Sequence, residues 1–171
     1  MQRRVHRYRQ EHGIELQRAD GAEYAWDGKA LCADVRRYLL PPETPFWTIV
    51  LHEVDHWRVA TKRQRRKPEF GLGRHPFFKY GNVCLKHSTR GVRCYNKEIE
   101  ASILDVAFVF RFADDQQKSF FFNEWLGGEL DYVDPPEGMA QIRRRVRSVA
   151  QAGEKKYVED VLRRIDEWFE S

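Results

Sequence analysis

The chain has 171 residues, with 30 Lys and Arg against 26 Asp and Glu, a formal net charge of +4, and 42% hydrophobic residues. That length fits one compact domain over residues 1–171 and makes two full domains cramped. A charged fraction of 33% beside five Trp and eleven Phe excludes a disordered acidic tail or a low-complexity chain, and no run of about 18 apolar residues provides a membrane span.

Residues 1–12 are polar and basic and read as a short helix or a loose end, with no apolar stretch behind them to make a secretory signal. Between 14 and 40, the runs Ile14-Glu15-Leu16, Tyr24-Ala25-Trp26 and Ala30-Leu31-Cys32-Ala33 are punctuated by Asp20-Gly21 and Asp27-Gly28. This pattern predicts a short antiparallel β-meander. Thr44 as N-cap and Pro45 at the first helical position open a helix expected to reach about Arg66, before Pro68. Residues 69–95 carry Gly71, Gly73, Pro76, Gly81 and Gly91 and read as an irregular loop, with a strand at 82–85. A second, largely buried helix is expected from Lys97 to Phe112. Phe120-Phe121-Phe122 reads as core and edge strand. Asp134-Pro135-Pro136-Glu137 then caps a helix with the stripe Met139, Ile142, Val146, Val149. Gly153 breaks it, and a last helix to Phe169 carries Val158, Val161, Leu162, Ile165 and Trp168 on one face. Residues 134–170 should thus form a C-terminal helical hairpin, and the fold class is α+β.

The chemistry centres on His52-Glu53-Val54-Asp55-His56, an H-E-x-x-H sequence inside a predicted helix. Positions i and i+4 stand one above the other on a helix, so two imidazoles can meet on one metal ion. Glu53 falls beside them, placed to take a proton from a metal-bound water. Shuffling this composition yields the pattern about two times in a hundred. A third ligand is required. The candidates are Glu98 and Glu100 at the start of the second long helix, and His75 and His87 in the loop. Glu98, Ser102 and Asp105 share a face, whereas Glu100 points about 160° away. Asp105 stands in an apolar helix and needs a buried partner, which the N–H of a ligand histidine would supply. Two His and a carboxylate suit zinc with an activated water, and equally the facial triad of Fe(II) oxygen chemistry.

The stretch His52–Gly71, HEVDHWRVATKRQRRKPEFG, resembles the metal-binding region of bacterial elongation factor P hydroxylases. The matched positions are His52, Glu53, His56, Trp57, Ala60, Lys62, Arg65, Arg66, Phe70 and Gly71. Glu98, Asp105 and Phe108 match a second motif, and a weaker likeness runs through residues 121–131. The resemblance covers about half the chain, mostly residues 46–131. It implies a small zincin-like domain and a metal site of His52, His56 and Glu98. It further implies Fe(II) with dioxygen as co-substrate and hydroxylation of a modified lysine on elongation factor P. The sequence is also similar to antirestriction-type zincins, whose Tyr-x-x-Glu helix Tyr95 and Glu98 would match, but further Glu residues of that helix are missing.

Two other readings stand beside the hydroxylase. In a zinc metallopeptidase, Glu53 would be the general base. In a nucleic-acid binder without catalysis, Arg143, Arg144, Arg145 and Arg147 would carry the binding, although no aromatics interleave with them. A pI near 9.0 suggests an acidic partner, either nucleic acid or an acidic protein, and the run Arg58, Lys62, Arg63, Arg65, Arg66, Lys67 would steer an acidic protein substrate to the site. Trp57 is expected to pack on the meander and exclude water from the site. Cys32, Cys84 and Cys94 are odd in number and lack a C-x-x-C spacing, which fits buried thiols in a reducing cytoplasm.

Overall fold

A computed structural model describes residues 1–18, 25–33, 46–71, 89–121 and 139–170. The first segment is helical: α1 spans Gln2–Glu11 and buries Val5 and Tyr8. Gly13 ends it at φ +65, a left-handed conformation that lets its N–H return to the Gln10 carbonyl at 2.9 Å.

Three short strands follow, β1 (Glu15–Arg18), β2 (Ala25–Trp26) and β3 (Ala30–Ala33). They do not form the expected antiparallel meander. The order is β1-β3-β2, with β2 antiparallel to β3 and β1 parallel to it, Leu16 facing Leu31. Composition explains the order. Ala30 and Leu31 are fully buried, so β3 belongs at the centre, while the polar β1 and the two-residue β2 take the edges. The Asp27-Gly28 turn forms as expected. Asp27 Oδ1 accepts the N–H groups of Lys29 and Ala30, each at 2.7 Å, and Gly28 sits at φ +101. A Cβ on Gly28 would come within 3.1 Å of the Arg66 carbonyl oxygen, so the hairpin tip lies tight against residue 66.

The helix α2 spans Phe46–Val59; Thr44 and Pro45 lie outside the described residues. It is buried on nearly every side, through Trp47, Val50, Leu51, Val54 and Val59, and packs against α1 and the long helix after it. It stops at Val59 rather than near Arg66, because cationic side chains take its last carbonyls. Arg65 Nε donates to Trp57 O at 2.8 Å, Lys97 Nζ to Val59 O at 3.0 Å, and Arg145 Nη2 to Val59 O at 2.8 Å. Thr61 and Gln64 cap each other reciprocally, starting a 3-10 turn at Gln64–Arg66, and a second such turn covers Pro68–Gly71.

The next helix, α3, runs from Thr89 to Phe112, eight residues longer at its start than the apolar pattern predicts. The proposed strand at 82–85 lies outside the described residues. A capping box between Asp114 and Gln117 launches α4 (Asp115–Phe120), which carries helix to the start of the 120–122 segment read as core and edge strand. Phe121 is nonetheless core, fully buried and stacked on Trp47. Helices α5 (Met139–Val149) and α6 (Lys155–Glu170) form the expected hairpin. Ile142, Val146, Val158, Val161, Leu162 and Ile165 are buried, and Arg147 pairs with Glu159 through two hydrogen bonds at 2.6 and 2.7 Å. The Asp134–Glu137 cap lies outside the described residues.

The outcome is α+β with a mixed three-stranded sheet and a helical majority, and its buried apolar side chains form one cluster around α2 and α3. Among the described residues no helix is long and apolar enough to cross a membrane.

Candidate metal centre

His52 and His56 rise from one face of α2, and Glu98 comes from α3, which lies alongside. The three donor atoms form a small triangle. His52 Nε2 and His56 Nε2 are 2.9 Å apart, and Glu98 Oε2 lies 3.2 Å from the first and 3.0 Å from the second. The two rings are nearly perpendicular, with centroids 4.4 Å apart. Edges of this length are those of three ligands sharing one divalent cation at about 2.1 Å. The donor set, two imidazoles and a carboxylate, suits zinc or Fe(II) with further positions left open.

Asp105 lies seven residues after Glu98, two turns along the same face of α3. Its Oδ2 is 2.7 Å from His52 Nδ1, so the two acids of α3 grip opposite nitrogens of one ring. With Nδ1–H donated to Asp105, the lone pair of Nε2 is directed at the triangle. Burial disfavours the charge on His52, but Asp105 overrides it and holds the imidazole well above its usual range. Burial likewise opposes the charge on Glu98, yet His56 and His52 keep its carboxyl well below the usual range.

Glu53 stands next to this cluster, half-buried, and makes no hydrogen bond with the described residues. Burial pushes its carboxyl up, against the pull of His56 and then His52. A carboxylate in that position has lone pairs free and raised basicity, which are the properties of a general base.

Behind the triangle lies a polar network that the H-E-x-x-H spacing does not announce. Asp55, in one of the two unspecified positions, is fully buried. Its Oδ1 accepts from Tyr8 Oη at 2.7 Å and from Arg58 Nη1 at 2.9 Å. Its Oδ2 is buried without a donor, as is Asp105 Oδ1, although the two carboxyls are within hydrogen-bonding reach of each other. Two facing acceptors can bond only through a proton. Burial raises the Asp55 carboxyl well above the carboxylate range, Arg58 opposes the rise, and Asp105 adds to it.

Several expectations change place. Arg58 is not a surface cation: it is buried and donates to Asp55, Tyr8, Glu154 and the Val149 carbonyl. Arg65 caps α2 and lies 3.6 Å above the Trp57 ring. Trp57 lies 5.7 Å from the ring of His12, the residue just beyond α1. The ring that the sheet does send toward the site is Trp26, stacked on Phe70, which in turn stacks on His56. Glu100 is buried against Lys97 and outside the triangle. His75 and His87 lie outside the described residues, as does Cys84; Cys32 is a free, half-buried thiol. Arg143 and Arg147 pair with Asp166 and Glu159, and Arg145 binds the Val59 carbonyl, so three of the four arginines of α5 serve the fold.

One signal for the missed residues was present in the sequence. Asp55 and Arg58 stand three apart within an apolar helix, and such charges must find partners. Compared with known proteins, the chain matches no family model, no curated protein and no solved structure.

Proposed function

We propose that the protein is a metal-dependent protein hydroxylase of the non-haem iron class, with a zincin-like site formed by His52, His56 and Glu98. The observation that carries the reading is the convergence of both Nε2 atoms and Glu98 Oε2 within 3.2 Å, with Asp105 bonded behind His52. This is the ligand set implied by the likeness of residues 52–71 and 98–108 to elongation factor P hydroxylases. The substrate class under this reading is a modified lysine on an acidic translation factor. Lys62, Arg63, Arg66 and Lys67 are exposed at the end of the metal helix and supply a positive field that steers such a partner.

When bound, Fe(II) would supply dioxygen activation at its open positions. The chain's own residues do the rest. Asp105 fixes the His52 tautomer, and the paired Asp55 keeps Asp105 in place. Glu53 takes or returns a proton in the open sector beside the triangle. Phe70 and Trp26 wall the His56 side with apolar rings.

The free, raised carboxyl of Glu53 also favours a second reading, a zinc metallopeptidase in which it activates water. Elemental analysis of freshly purified protein, beside His52→Ala and Glu98→Ala, separates the two. Iron in the wild type, lost in both variants, together with oxygen-dependent mass gain on a lysine-modified acidic translation factor, supports the hydroxylase. Zinc, with Glu53-dependent cleavage of an unfolded protein and no need for oxygen, supports the peptidase. No metal in any preparation overturns both.

A further inference from the structure

We propose that Phe70 is the positioning residue of His56, an inference that rests on the metal reading above. The two ligand imidazoles are held differently. His52 has Asp105 on Nδ1 at 2.7 Å. His56 bonds only through Nε2, within the triangle itself, and its Nδ1 has no hydrogen-bond partner among the described residues. A ring tethered at one nitrogen can still turn about that contact, so something else must set its plane.

Phe70 supplies a face for it. The Phe70 and His56 rings lie 5.9 Å apart and 24° from parallel. Behind Phe70, Trp26 stacks at 5.7 Å and 3° from parallel. Trp26 is itself pinned, its Nε1–H donating to the Arg65 carbonyl at 2.8 Å. His56 is thus the last member of a three-ring stack anchored in β2, and turning its plane would open a gap against a buried aromatic face.

The backbone points to the same role. Phe70 adopts φ +50, the one positive φ on a non-glycine residue among the described residues. Large side chains rarely take that conformation, and residues held in it gather at functional sites. Gly71 follows at φ +72, so the 3-10 turn Pro68–Gly71 ends in two left-handed residues that reverse the chain. The reversal delivers a 5% exposed ring onto a metal-ligand imidazole. Filling the core would not require a ring, since Leu or Met could occupy much of the space; setting a plane does.

The test titrates the apo full-length chain with Co(II) and reads both affinity and the visible ligand-field bands. Phe70→Tyr keeps the ring face; Phe70→Leu and Phe70→Met keep apolar bulk without it. Thermal melting accompanies each titration. The wild type and Phe70→Tyr should share one spectrum and agree in affinity within about threefold. The Leu and Met variants should melt cooperatively, bind Co(II) roughly tenfold or more weakly, and show shifted bands. Wild-type affinity and spectrum in either ring-free variant overturn the proposal, as does an equal loss in the Tyr variant. Failure of both ring-free variants to fold overturns it too, because Phe70 would then be a fold residue. A wild-type chain that binds no Co(II) overturns instead the metal reading on which the proposal rests.

Discussion

Glu154, at the start of the last helix, closes on Arg58 of the H-E-x-x-H helix through two parallel hydrogen bonds, Nη1 to Oε1 at 3.0 Å and Nη2 to Oε2 at 2.6 Å. Both side chains are buried, and 96 residues separate them in the chain. Arg58 also reaches Asp55 and Tyr8, so one guanidinium joins α1, α2 and the C-terminal hairpin. The hairpin is therefore part of the frame that holds His52 and His56, not an appendage.

This arrangement makes Glu154 costly to remove. Glu154→Ala strips the buried Arg58 guanidinium of its bidentate carboxylate, and breaking one side of such a pair costs about 3–5 kcal/mol. Glu154→Gln, which keeps acceptors but not charge, should cost less. Urea unfolding measures both. A Glu154→Ala variant within 1 kcal/mol of the wild type, on the order of a surface pair, would show that the network does not hold the helices together.

The Asp55–Asp105 pair gives a second expectation. If Asp55 carries the shared proton, its neutral carboxyl donates from Oδ2 and accepts at Oδ1, and an asparagine amide does both. Asp55→Asn should then stay within about 1 kcal/mol of the wild type, while Asp55→Ala, which strands Tyr8 and Arg58, should lose about 2–4 kcal/mol. Equal losses in the two variants would mean that Asp55 is charged.

The parts that were legible in the sequence are those governed by local spacing. The i, i+4 histidines, the i, i+7 acids of α3 and the apolar stripes of α5 and α6 follow helical periodicity, and periodicity needs no knowledge of the partner. What was illegible depends on distant partners. The end of α2 is decided by Arg65, Lys97 and Arg145, two of which lie far along the chain. The parallel placement of β1 is decided by which strand is most deeply buried. Arg58 reads as part of a basic run until Glu154 arrives beside it. The same holds for Phe70, whose motif position gives no hint of a left-handed backbone.

Glu53 offers a functional check. Its carboxyl lies beside the triangle but donates nothing to it, so Glu53→Gln should leave metal content unchanged. Under the proposed catalytic reading, turnover should fall by about 10²–10⁴-fold, the usual contribution of a positioned acid or base. Parallel metal analysis and single-turnover rates test this. A variant that loses metal as fully as His52→Ala does would make Glu53 a ligand and not a base.

Stability should also fall on mild acidification because of a histidine away from the triangle of His52, His56 and Glu98. His12 lies between Tyr8 and Trp57, with ring centroids 4.9 and 5.7 Å away. Burial lowers its pKa to about 4, and the charge of Arg58 and, less strongly, Arg65 adds to the effect against the opposite pull of Glu154. In the unfolded chain the ring titrates near 6.5. As pH falls from 6.5 toward 4, the unfolded state binds a proton that the folded state refuses, so folding free energy declines through that window and the loss is complete below it. Solvent screening of a half-buried ring limits the loss to about 1–2 kcal/mol. His12→Gln removes the titration, so its denaturation midpoint should change less between pH 7 and pH 4.5 than that of the wild type. His6, whose pKa is also lowered by burial, leaves a residual slope of the same sign in both proteins. Parallel pH profiles for wild type and His12→Gln would show that His12 takes up its proton as readily in the folded chain as in the unfolded one.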